Sequence, residues 1–416
     1  MYEKDSSKTT STSIITFFSN SIPEFTMNKK KISLYFVTPV LFSFFVMSFC
    51  DLVGIGVDNA ISDFRISNTL AQMLPMAVFF WFFALSVFVG IVQDRIGKRN
   101  MVNIGMLVTA AGLLLPYFYY TFPLLLAGFV LLGIGNTILQ VAANPLLIDV
   151  VPANRSSSFL SFSQFVKAIG SMVAPFLAAF FAMSFGDWKI VFLVFGIFSL
   201  LSVAWLYFVP ITETVSKEKK ATFGSSFALL RIPFILLMVL GIFFVVGIDV
   251  GINSTSGQFL MDKLGMDPEP AKQGRSLYFF GKMLGTFLGA IMLTRLNPGR
   301  FLLGSSIFTL VTILVFIWSP STVVALPLMF LIGMAASNIF PLIFSIAAAA
   351  YPTRTNEISG LMIMAVSGGA FIPWFIGIIS DMTSTATGMY VFVACALYLI
   401  FVSVLAVSQQ RKPRNQ

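Results

Sequence analysis

The sequence contains no histidine and only two cysteines, Cys50 and Cys395, among its 416 residues. The lack of histidine excludes a histidine proton relay and most zinc sites. Both cysteines lie in apolar stretches, and their spacing indicates neither a disulfide nor a metal site. No nucleophile–base combination of the kind used in covalent catalysis is found. The sequence therefore argues against an enzyme and predicts no cofactor.

Charge is scarce as well, at 10% of the residues, compared with about 25% in soluble domains. Hydrophobic residues make up 57% of the chain, including 47 Phe and 20 Met. This composition predicts a multi-pass membrane protein surrounded by lipid. The net charge of +9 follows the ends of the apolar stretches instead of forming a patch. Nucleic acid is therefore not an expected partner.

Apolar windows of about 20 residues predict twelve membrane-spanning helices, here called spans 1 to 12. The spans fall near 34–62, 70–92, 101–120, 123–149, 158–183, 188–209, 232–261, 273–295, 300–318, 322–350, 356–380 and 387–408. The longest polar break, 212–222, divides them into six plus six. The predicted fold is an all-α integral membrane protein with two pseudo-symmetric six-helix halves. The predicted segments are a cytoplasmic extension 1–31, the first half 32–210, a central loop 211–231, the second half 232–408 and a tail 409–416.

Most of the 26 Lys and Arg residues fall on one side of the predicted bundle, with the two termini and the central loop. Positive charge in short loops marks the cytoplasmic side. Both termini are therefore expected in the cytoplasm of a bacterium, with the bundle in the inner membrane. A monomer is expected.

The two halves resemble each other at an offset of about 200 residues. Leu132–Ile134 recurs as Ile332–Met334 with a central glycine in each, and Arg95 recurs as Arg295. Two halves in parallel orientation place a substrate site between them near the midplane, with alternating access by rocking of the halves.

The loop between spans 2 and 3 carries the pattern G-x-x-x-D-R-x-G-K-R at Gly90, Asp94, Arg95, Gly97, Lys98 and Arg99. This pattern resembles the signature of the major facilitator superfamily. The glycine lets helices approach closely, and the acid can stabilise the N-terminus of a neighbouring helix. The three bases are expected to anchor a cytoplasmic turn and to latch the halves in the outward-facing state.

Further segments resemble the fucose:proton symporter family of that superfamily. They are Asp58 with Phe64 in span 1, Leu139–Pro145 in span 4, Val246–Val250 in span 7, Asn338–Ser345 in span 10 and Gly368–Pro373 in span 11. The resemblance runs from about residue 34 to 405. It implies sugar transport by proton symport, as in fucose, glucose/galactose and N-acetylhexosamine permeases. The chain departs from the family at Gln140, where relatives have a glutamate, and in carrying Lys167 and Lys282.

Five ionisable residues lie inside spans, at Asp51, Asp58, Lys167, Asp249 and Lys282. A charge in hydrocarbon costs at least about 2.5–3.5 kcal/mol, so these residues are candidates for function. Either Asp51 or Asp58 is a candidate coupling carboxylate, because burial favours the neutral form of an acid. The alternatives are a structural acid near the outer end of span 1 for Asp58 and a permanent pairing with a lysine for Asp51.

The two lysines have alternative roles. Lys167 is interpreted as a counter-ion of Asp51 or Asp58, the favoured reading, or as a contact for an anionic substrate such as a uronate. Asp249 and Lys282 are expected to pair in the second half. Three acids against two bases leave one carboxylate over, which a coupling ion would neutralise.

Neutral polar residues in the spans suit a hydroxylated ligand, because an amide both donates and accepts hydrogen bonds. The candidates for substrate binding are Gln140, Asn144, Gln164, Asn253 and Asn338, and Trp374 is a candidate for stacking on a sugar. For each amide the alternative is an interhelical hydrogen bond, and for the tryptophan it is a lipid-facing position.

The sequence predicts a secondary active transporter that imports a monosaccharide or sugar derivative, with the proton as the first choice of coupling ion. Sodium coupling and uncoupled facilitation remain open because of Gln140. A drug:proton antiporter is a rival, but the region from Gly170 to Pro175 lacks the glycines expected of that class. A membrane sensor without flux is a second rival.

Overall fold

The computed structural model describes residues 33–66, 70, 73–213 and 221–411, and every regular element in these ranges is helical. The predicted extension 1–31 lies outside the described residues, as do 412–416 of the predicted tail. The side chain of Asp58 is also outside the described set.

The helices follow the predicted spans. In the first half, span 1 is Leu34–Met47 and Val53–Phe64, span 2 is Met73–Ile96, span 3 is Lys98–Phe118, span 4 is Phe122–Val150, span 5 is Ser156–Phe185 and span 6 is Ile190–Phe208. In the second half, span 7 is Pro233–Leu264, span 8 is Pro268–Met292, span 9 is Pro298–Ile317, span 10 is Thr322–Ala336 and Ile339–Ala350, span 11 is Thr355–Met364 and Gly368–Met382, and span 12 is Tyr390–Arg411.

Span 8 differs from the other spans in hydropathy. Across the described residues, 11 helical segments are long and apolar enough to cross a membrane, and span 8 contributes only the shorter apolar helix Ser276–Met292. Its first turns contain Glu269, Lys272 and Arg275, which lower the hydropathy of the full helix. With span 8 as the twelfth, the chain has the predicted fold of a multi-pass membrane protein.

Span 1 is interrupted near its middle by a 3-10 segment, Ser48–Leu52. Backbone groups freed inside a membrane must find partners within the protein, because lipid offers none. Asn136 of span 4 supplies one, since its amide nitrogen donates to the carbonyl oxygen of Met47 at 2.6 Å. The break in span 1 is therefore fixed by a buried side chain of a neighbouring helix.

The predicted internal repeat corresponds to equivalent helix crossings. A Cβ atom added at Gly133 of span 4 would lie 2.6 Å from the carbonyl oxygen of Val78 in span 2. A Cβ atom added at Gly333 of span 10 would lie 2.1 Å from the carbonyl oxygen of Tyr278 in span 8. The two glycines, 200 positions apart, thus perform the same close crossing in the two halves.

Within the described residues, side-chain hydrogen bonds join the halves at one end of the bundle. We call it the basic end, because it carries the loop of Gly90–Arg99. Among the described residues, every side-chain hydrogen bond between the halves lies toward this end. These bonds are Gln93 to Asn356 O, Asn356 to Asp94, Ser157 with Ser345, Ser158 to Ala290 O and Ser359 to Val141 O.

Large apolar side chains are exposed toward the opposite end of the same helices. They include Met76 and Phe80 of span 2, Phe176 and Phe180 of span 5, Leu277 and Phe280 of span 8, and Phe371 and Trp374 of span 11. The halves are therefore closed at the basic end and unjoined by side-chain hydrogen bonds at the opposite end, within the described part of the chain.

Candidate functional site

Asp51 lies in the 3-10 break of span 1, where the main chain turns its carboxylate toward span 5. The hydroxyl of Ser171 donates to one carboxylate oxygen of Asp51, and the Cys50 thiol lies 3.6 Å from the other. Cys50 is buried, whereas Asp51 is exposed. The described contacts of this carboxylate are therefore to neutral groups.

Asp249 of span 7 has the opposite environment. One of its carboxylate oxygens lies 2.5 Å from the ammonium of Lys282, and the hydroxyl of Tyr278 donates to the other at 2.5 Å. Tyr278 and Lys282 are four residues apart on span 8, so they share one helix face. Asp249 and Lys282 are each about a third exposed, with side chains 29% and 30% accessible. The predicted pair in the second half is thus present.

Lys167 lies in span 5, one turn before Ser171, whose hydroxyl also donates to the Lys167 carbonyl oxygen at 3.2 Å. Phe165, two residues earlier on span 5, has its ring 5.0 Å from that of Phe287 in span 8, so this stretch of span 5 lies at the boundary between the two halves. The favoured pairing of Lys167 with Asp51 is not found: no ion pair of Lys167 within 4.0 Å occurs among the described side chains. The physical reason is that Ser171, on the same face of span 5, holds the Asp51 carboxylate. Pairing with Asp58 concerns a side chain outside the described set.

The amides of span 4 form a ladder along one helix face. Gln140 donates to the side-chain oxygen of Asn136 at 2.9 Å, and Asn144 donates to the carbonyl oxygen of Gln140 at 2.7 Å. Gln140 is 8% exposed and Asn144 is 2% exposed. In this conformation both predicted substrate contacts thus form hydrogen bonds within span 4.

The other three predicted amides are Asn338 of span 10, Asn253 of span 7 and Gln164 of span 5. Asn338 sits at the break in span 10 and donates to the carbonyl oxygen of Gly285 in span 8 at 2.7 Å. Asn253 lies one turn after Asp249 on the same face of span 7. The side-chain oxygens of Asn253, Asn338 and Asn144 are buried without a hydrogen-bond partner among the described residues. Gln164, three residues before Lys167, is partly buried.

Trp374 lies on the face of span 11 that is turned away from span 7. Ile372 and Ile376 contact span 7 at Gly247 and Gly251. Trp374, two residues from each, lies on the opposite face of the helix and is 65% exposed, and Phe371 and Phe375 are exposed as well. The predicted sugar stacking would require a ligand on this outer face, and the alternative of a lipid-facing position fits the row of exposed aromatic rings.

The signature loop joins the halves through its glycine and its acid. A Cβ atom added at Gly90 would lie 2.9 Å from the carbonyl oxygen of Asn356 and 3.3 Å from the Cα atom of Gly360. The Asp94 carboxylate accepts from the Asn356 amide at 3.1 Å, in the first turn of span 11, and from the backbone N–H of Ala221 at 3.1 Å. The predicted role of Asp94 at the N-terminus of a neighbouring helix matches this position.

The described partners of two of the bases lie in the first half, so these contacts do not supply the predicted latch between the halves. Lys98 forms a buried ion pair with Asp149 at 2.6 Å, and Arg99 donates to the carbonyl oxygen of Val209 at 2.7 Å. Both partners belong to the first half, because the loop folds back over the ends of spans 4 and 6. Arg95 is exposed at the end of span 2.

Glu213 caps the helix that follows the signature loop. Its two carboxylate oxygens accept from the backbone N–H groups of Lys98 at 2.6 Å and Arg99 at 3.0 Å. An anion is stabilised by the positive end of the helix dipole at this position. Gly97, at φ 91° and ψ 150°, makes the turn in a region that side chains rarely adopt.

A short helix of the central loop, Phe223–Ala228, docks on span 11. The Ser225 hydroxyl donates to Glu357 at 2.6 Å, and Arg354 bridges Glu357 and the carbonyl oxygen of Ser225 at 2.7 and 2.8 Å. Through the neighbouring Ala221 the same loop touches Asp94. The central loop therefore bridges both halves at the basic end.

At the opposite end, Asp63 accepts from the Tyr120 hydroxyl at 2.7 Å and from the Trp188 indole at 3.3 Å. Burial, and then the bond to Asp63, raise the pKa of Tyr120 above its ordinary value. Lys189 lies 4.8 Å from the centre of the Tyr120 ring. These contacts tie the end of span 1 to the loops of the first half and do not reach the second half.

Sequence reasoning missed Asn136, Ser171, Tyr278, Glu213 and Asn356. Tyr278 had a usable signal, because it precedes Lys282 by four residues on a helix. Asn136 likewise precedes Gln140 by one turn. The other three are ordinary polar residues whose partners lie more than 100 positions away, so no local pattern identifies them.

Comparison with known proteins identifies the family of the chain. The family model described as Major Facilitator Superfamily matches residues 38–373. A glucose/galactose transporter of Brucella abortus is 26% identical over 391 residues, covering 89% of this chain and 93% of that protein. The cis,cis-muconate transport protein of Acinetobacter baylyi is 25% identical over 388 residues, covering 88% and 92%. The crystal structure of the E. coli fucose:proton symporter superposes with a TM-score of 0.80 at 18% identity, covering 90% of this chain and 99% of that one.

Proposed function

The chain belongs to the Major Facilitator Superfamily, and we propose that it is a secondary active transporter that imports a monosaccharide or sugar derivative by proton symport. The Brucella abortus relative is named a glucose/galactose transporter, and the solved structure is a fucose:proton symporter. The Acinetobacter baylyi relative is named for a carboxylated cargo. These names support a small organic substrate, with sugars first.

The observation that carries the proposal is the contrast between two intramembrane carboxylates. Asp249 has a lysine at 2.5 Å and a tyrosine hydroxyl at the same distance. Asp51 has a serine hydroxyl and a thiol. A nearby cation stabilises the charged form of a carboxylate, which therefore has little tendency to bind a proton. A carboxylate whose partners are neutral lacks this stabilisation, so it can bind a proton and release it as its surroundings change. Asp51 is therefore the proposed coupling carboxylate.

Gln140 in span 4 is consistent with a single coupling acid in this region, because an amide does not titrate. Sodium remains the alternative ion, since a carboxylate and a hydroxyl are oxygen ligands that a hard cation also accepts. Hydroxyl groups of a sugar would find acceptors in unpaired amide oxygens such as that of Asn253, which is buried beside Asp249. A buried acceptor without a partner is stabilised when a ligand donates to it.

The orientation follows from the positive charges. With the basic end in the cytoplasm of a bacterial inner membrane, the closed end of the bundle faces inward and the unjoined end faces outward. This is the arrangement in which an importer loads its substrate. Rocking of the halves would then open the basic end, and a single chain suffices for it.

The test is sugar uptake into proteoliposomes under an imposed pH gradient, then a sodium gradient, then neither. The panel contains neutral, N-acetylated and acidic monosaccharides. The wild-type protein is expected to accumulate a sugar only under the pH gradient. Asp51→Asn is expected to abolish accumulation while still exchanging labelled for unlabelled sugar, because the variant is permanently neutral. Asp187→Asn, an acid in a loop at the opposite end, is the matched control and should accumulate sugar normally.

Other results would change the assignment. Accumulation driven by sodium would replace the proton, and equilibration without accumulation would indicate a facilitator. If Asn at positions 51, 58 and 249, tested one at a time, left accumulation intact in all three variants, the idea of an unpaired coupling carboxylate would be wrong. No flux of any sugar would remove the sugar assignment.

A further inference from the structure

Lys167 is a cation that the proposed mechanism does not use. It lies in span 5, next to the contact with span 8, where the Phe165 and Phe287 rings are 5.0 Å apart. Lys167 is partly buried and lies one turn before Ser171, whose hydroxyl donates to Asp51. This stretch of span 5 therefore lies at the boundary between the halves, where a substrate between them would bind.

Two of the three intramembrane acids are already engaged, and the side chain of the third, Asp58, is outside the described set. Asp249 is bound by Lys282 and Tyr278, and Asp51 is bound by Ser171. Among the side chains that the structure describes, Lys167 has no carboxylate within 4.0 Å. A partly buried ammonium without a counter-ion is unfavourable unless a ligand supplies the negative charge.

Resting on the proposed sugar transport, we propose that the substrate is an acidic monosaccharide and that Lys167 binds its carboxylate. A lysine suits this task because its ammonium is a point charge with three donors on a flexible stem. Hydrogen bonds between charged groups are the stronger ones. The Asn253 amide oxygen, buried without a described partner, and the partly buried Gln164 lie on spans 7 and 5, and we assign them to the sugar hydroxyls.

The charge of the cargo sets the charge moved in each cycle. An acidic sugar carries one negative charge, and the proton on Asp51 carries one positive charge, so the loaded protein moves no net charge. A neutral sugar with one proton moves one positive charge. Transport of the acidic sugar should therefore respond to a pH gradient and not to membrane potential.

The first experiment measures binding, so that it does not depend on flux. The purified full chain in detergent is titrated with galacturonate, glucuronate, galactose and glucose, and thermal unfolding reports the ligand-induced shift. The wild-type protein is expected to bind a uronate more tightly than the matching neutral hexose. Lys167→Gln should weaken uronate binding about 10- to 100-fold, the loss expected for a hydrogen bond between charged groups, and leave neutral hexose binding unchanged. Lys167→Arg should retain uronate binding, because it keeps the charge.

Controls separate a binding role from a folding role. Lys189→Gln removes a lysine at the opposite end, paired with Asp187 at 2.8 Å, and should leave all binding unchanged. A Lys167→Gln protein that unfolds at the wild-type temperature without ligand and loses only uronate binding supports the proposal. If that variant does not fold, Lys167→Arg and the wild-type preference for uronates over hexoses still decide the outcome.

The second experiment imposes a potassium diffusion potential on proteoliposomes at equal pH. Uronate uptake by the wild-type protein should not respond. A wild-type preference for neutral hexoses, or equal uronate binding by wild type and Lys167→Gln, overturns the inference and leaves sugar transport standing. Failure of every sugar to bind or move overturns the proposed function itself.

Discussion

At the scale of single residues, two of the three predicted intramembrane carboxylates, Asp51 and Asp249, have different described partners. The Asp249 pair is about a third exposed, so it is neither a surface pair nor a fully buried one. Removing one member leaves the other without its partner in a region of low polarity, whereas removing both leaves no charge behind. The effects of the two single substitutions on the free energy of unfolding should therefore not add up in the double variant.

A double-mutant cycle measures this coupling. Asp249→Asn and Lys282→Gln are each expected to lower the thermal stability of the purified protein, and the double variant should be less destabilised than the sum of the two. A coupling of about 0.5–3 kcal/mol is typical of contacting residues. The same cycle on Asp187 and Lys189 is the control: their side chains are similarly accessible, at 36% and 25%, but they lie in a loop at the end of the bundle instead of inside a span. A pair at the protein surface should give about 0.2–1 kcal/mol. Equal coupling in the two cycles would contradict a special role for the membrane pair.

The charged residues themselves could be found from the sequence, because a charge inside an apolar window stands out. The pairing of Asp249 with Lys282 followed from their neighbouring spans. The environment of Asp51 did not, since it depends on a break in span 1 and on Ser171, a residue type that occurs throughout the chain. A hydroxyl in span 5 gives no signal until the helices are packed.

At the scale of helices, span 8 holds its charged face in place by packing closely against span 10. Gly281, Gly285 and Gly289 recur every four residues, and a Cβ atom at each would lie 2.0 to 2.4 Å from atoms of span 10. Small residues at this spacing let helix backbones approach within a membrane, where packing replaces the hydrophobic effect. Gly333 makes the reciprocal contact from span 10, against the backbone between Tyr278 and Lys282.

Substituting Gly333 should disturb both stability and the Asp249 pair. In Gly333→Ala the added methyl group would lie 2.1 Å from the Tyr278 carbonyl oxygen, so span 8 must shift. Overpacking of this kind costs about 1–3 kcal/mol. The measurement is thermal unfolding in detergent, together with the uptake assay.

Gly304 in span 9 is the matched control, because a Cβ atom there would meet no atom within 4 Å. Gly304→Ala should stabilise the protein by about 0.5–1 kcal/mol, since alanine restricts the unfolded backbone. If both glycine variants behaved alike, close packing of spans 8 and 10 would not explain why a glycine stands at this crossing in each half.

At the scale of the whole molecule, the two halves meet through a small set of polar contacts at the basic end. Gly90 and Gly360 allow spans 2 and 11 to cross closely, and Asp94 binds Asn356 beside them. The bases of the signature loop strengthen the first half instead. Weakening the Asp94 contact should therefore favour the state in which the basic end is open.

Spin labels report this equilibrium. With Cys50 and Cys395 replaced by serine, labels at Met183 and Met382 would lie at exposed ends of spans 5 and 11, where these side chains are 88% and 79% accessible. In Asp94→Ala the distance distribution between the labels is expected to shift toward shorter values, because opening of the basic end closes the opposite one. Arg95→Ala, which changes an exposed residue of the same motif, should leave the distribution unchanged. A shift in Arg95→Ala alone would assign the latch to the base.

The global arrangement was largely accessible from the sequence. Apolar windows gave the helices within a few residues, and the repeat at Gly133 and Gly333 gave the two halves, because both signals are periodic. The contacts of the signature loop could be predicted only in part. Lys98 and Arg99 stand in a motif, but whether their partners lie in the same half depends on how the loop folds back onto Asp149 and Val209.

Glu213 has a consequence for how the protein is made. The described partners of Lys98 and Arg99, which include Glu213 itself, precede residue 214. Synthesis of the remaining chain takes roughly 10–40 seconds at about 5–20 residues per second. During that time the first half can complete its own ion pair and helix cap in the membrane. The second half can then assemble against this surface, where Asn356 donates to Asp94.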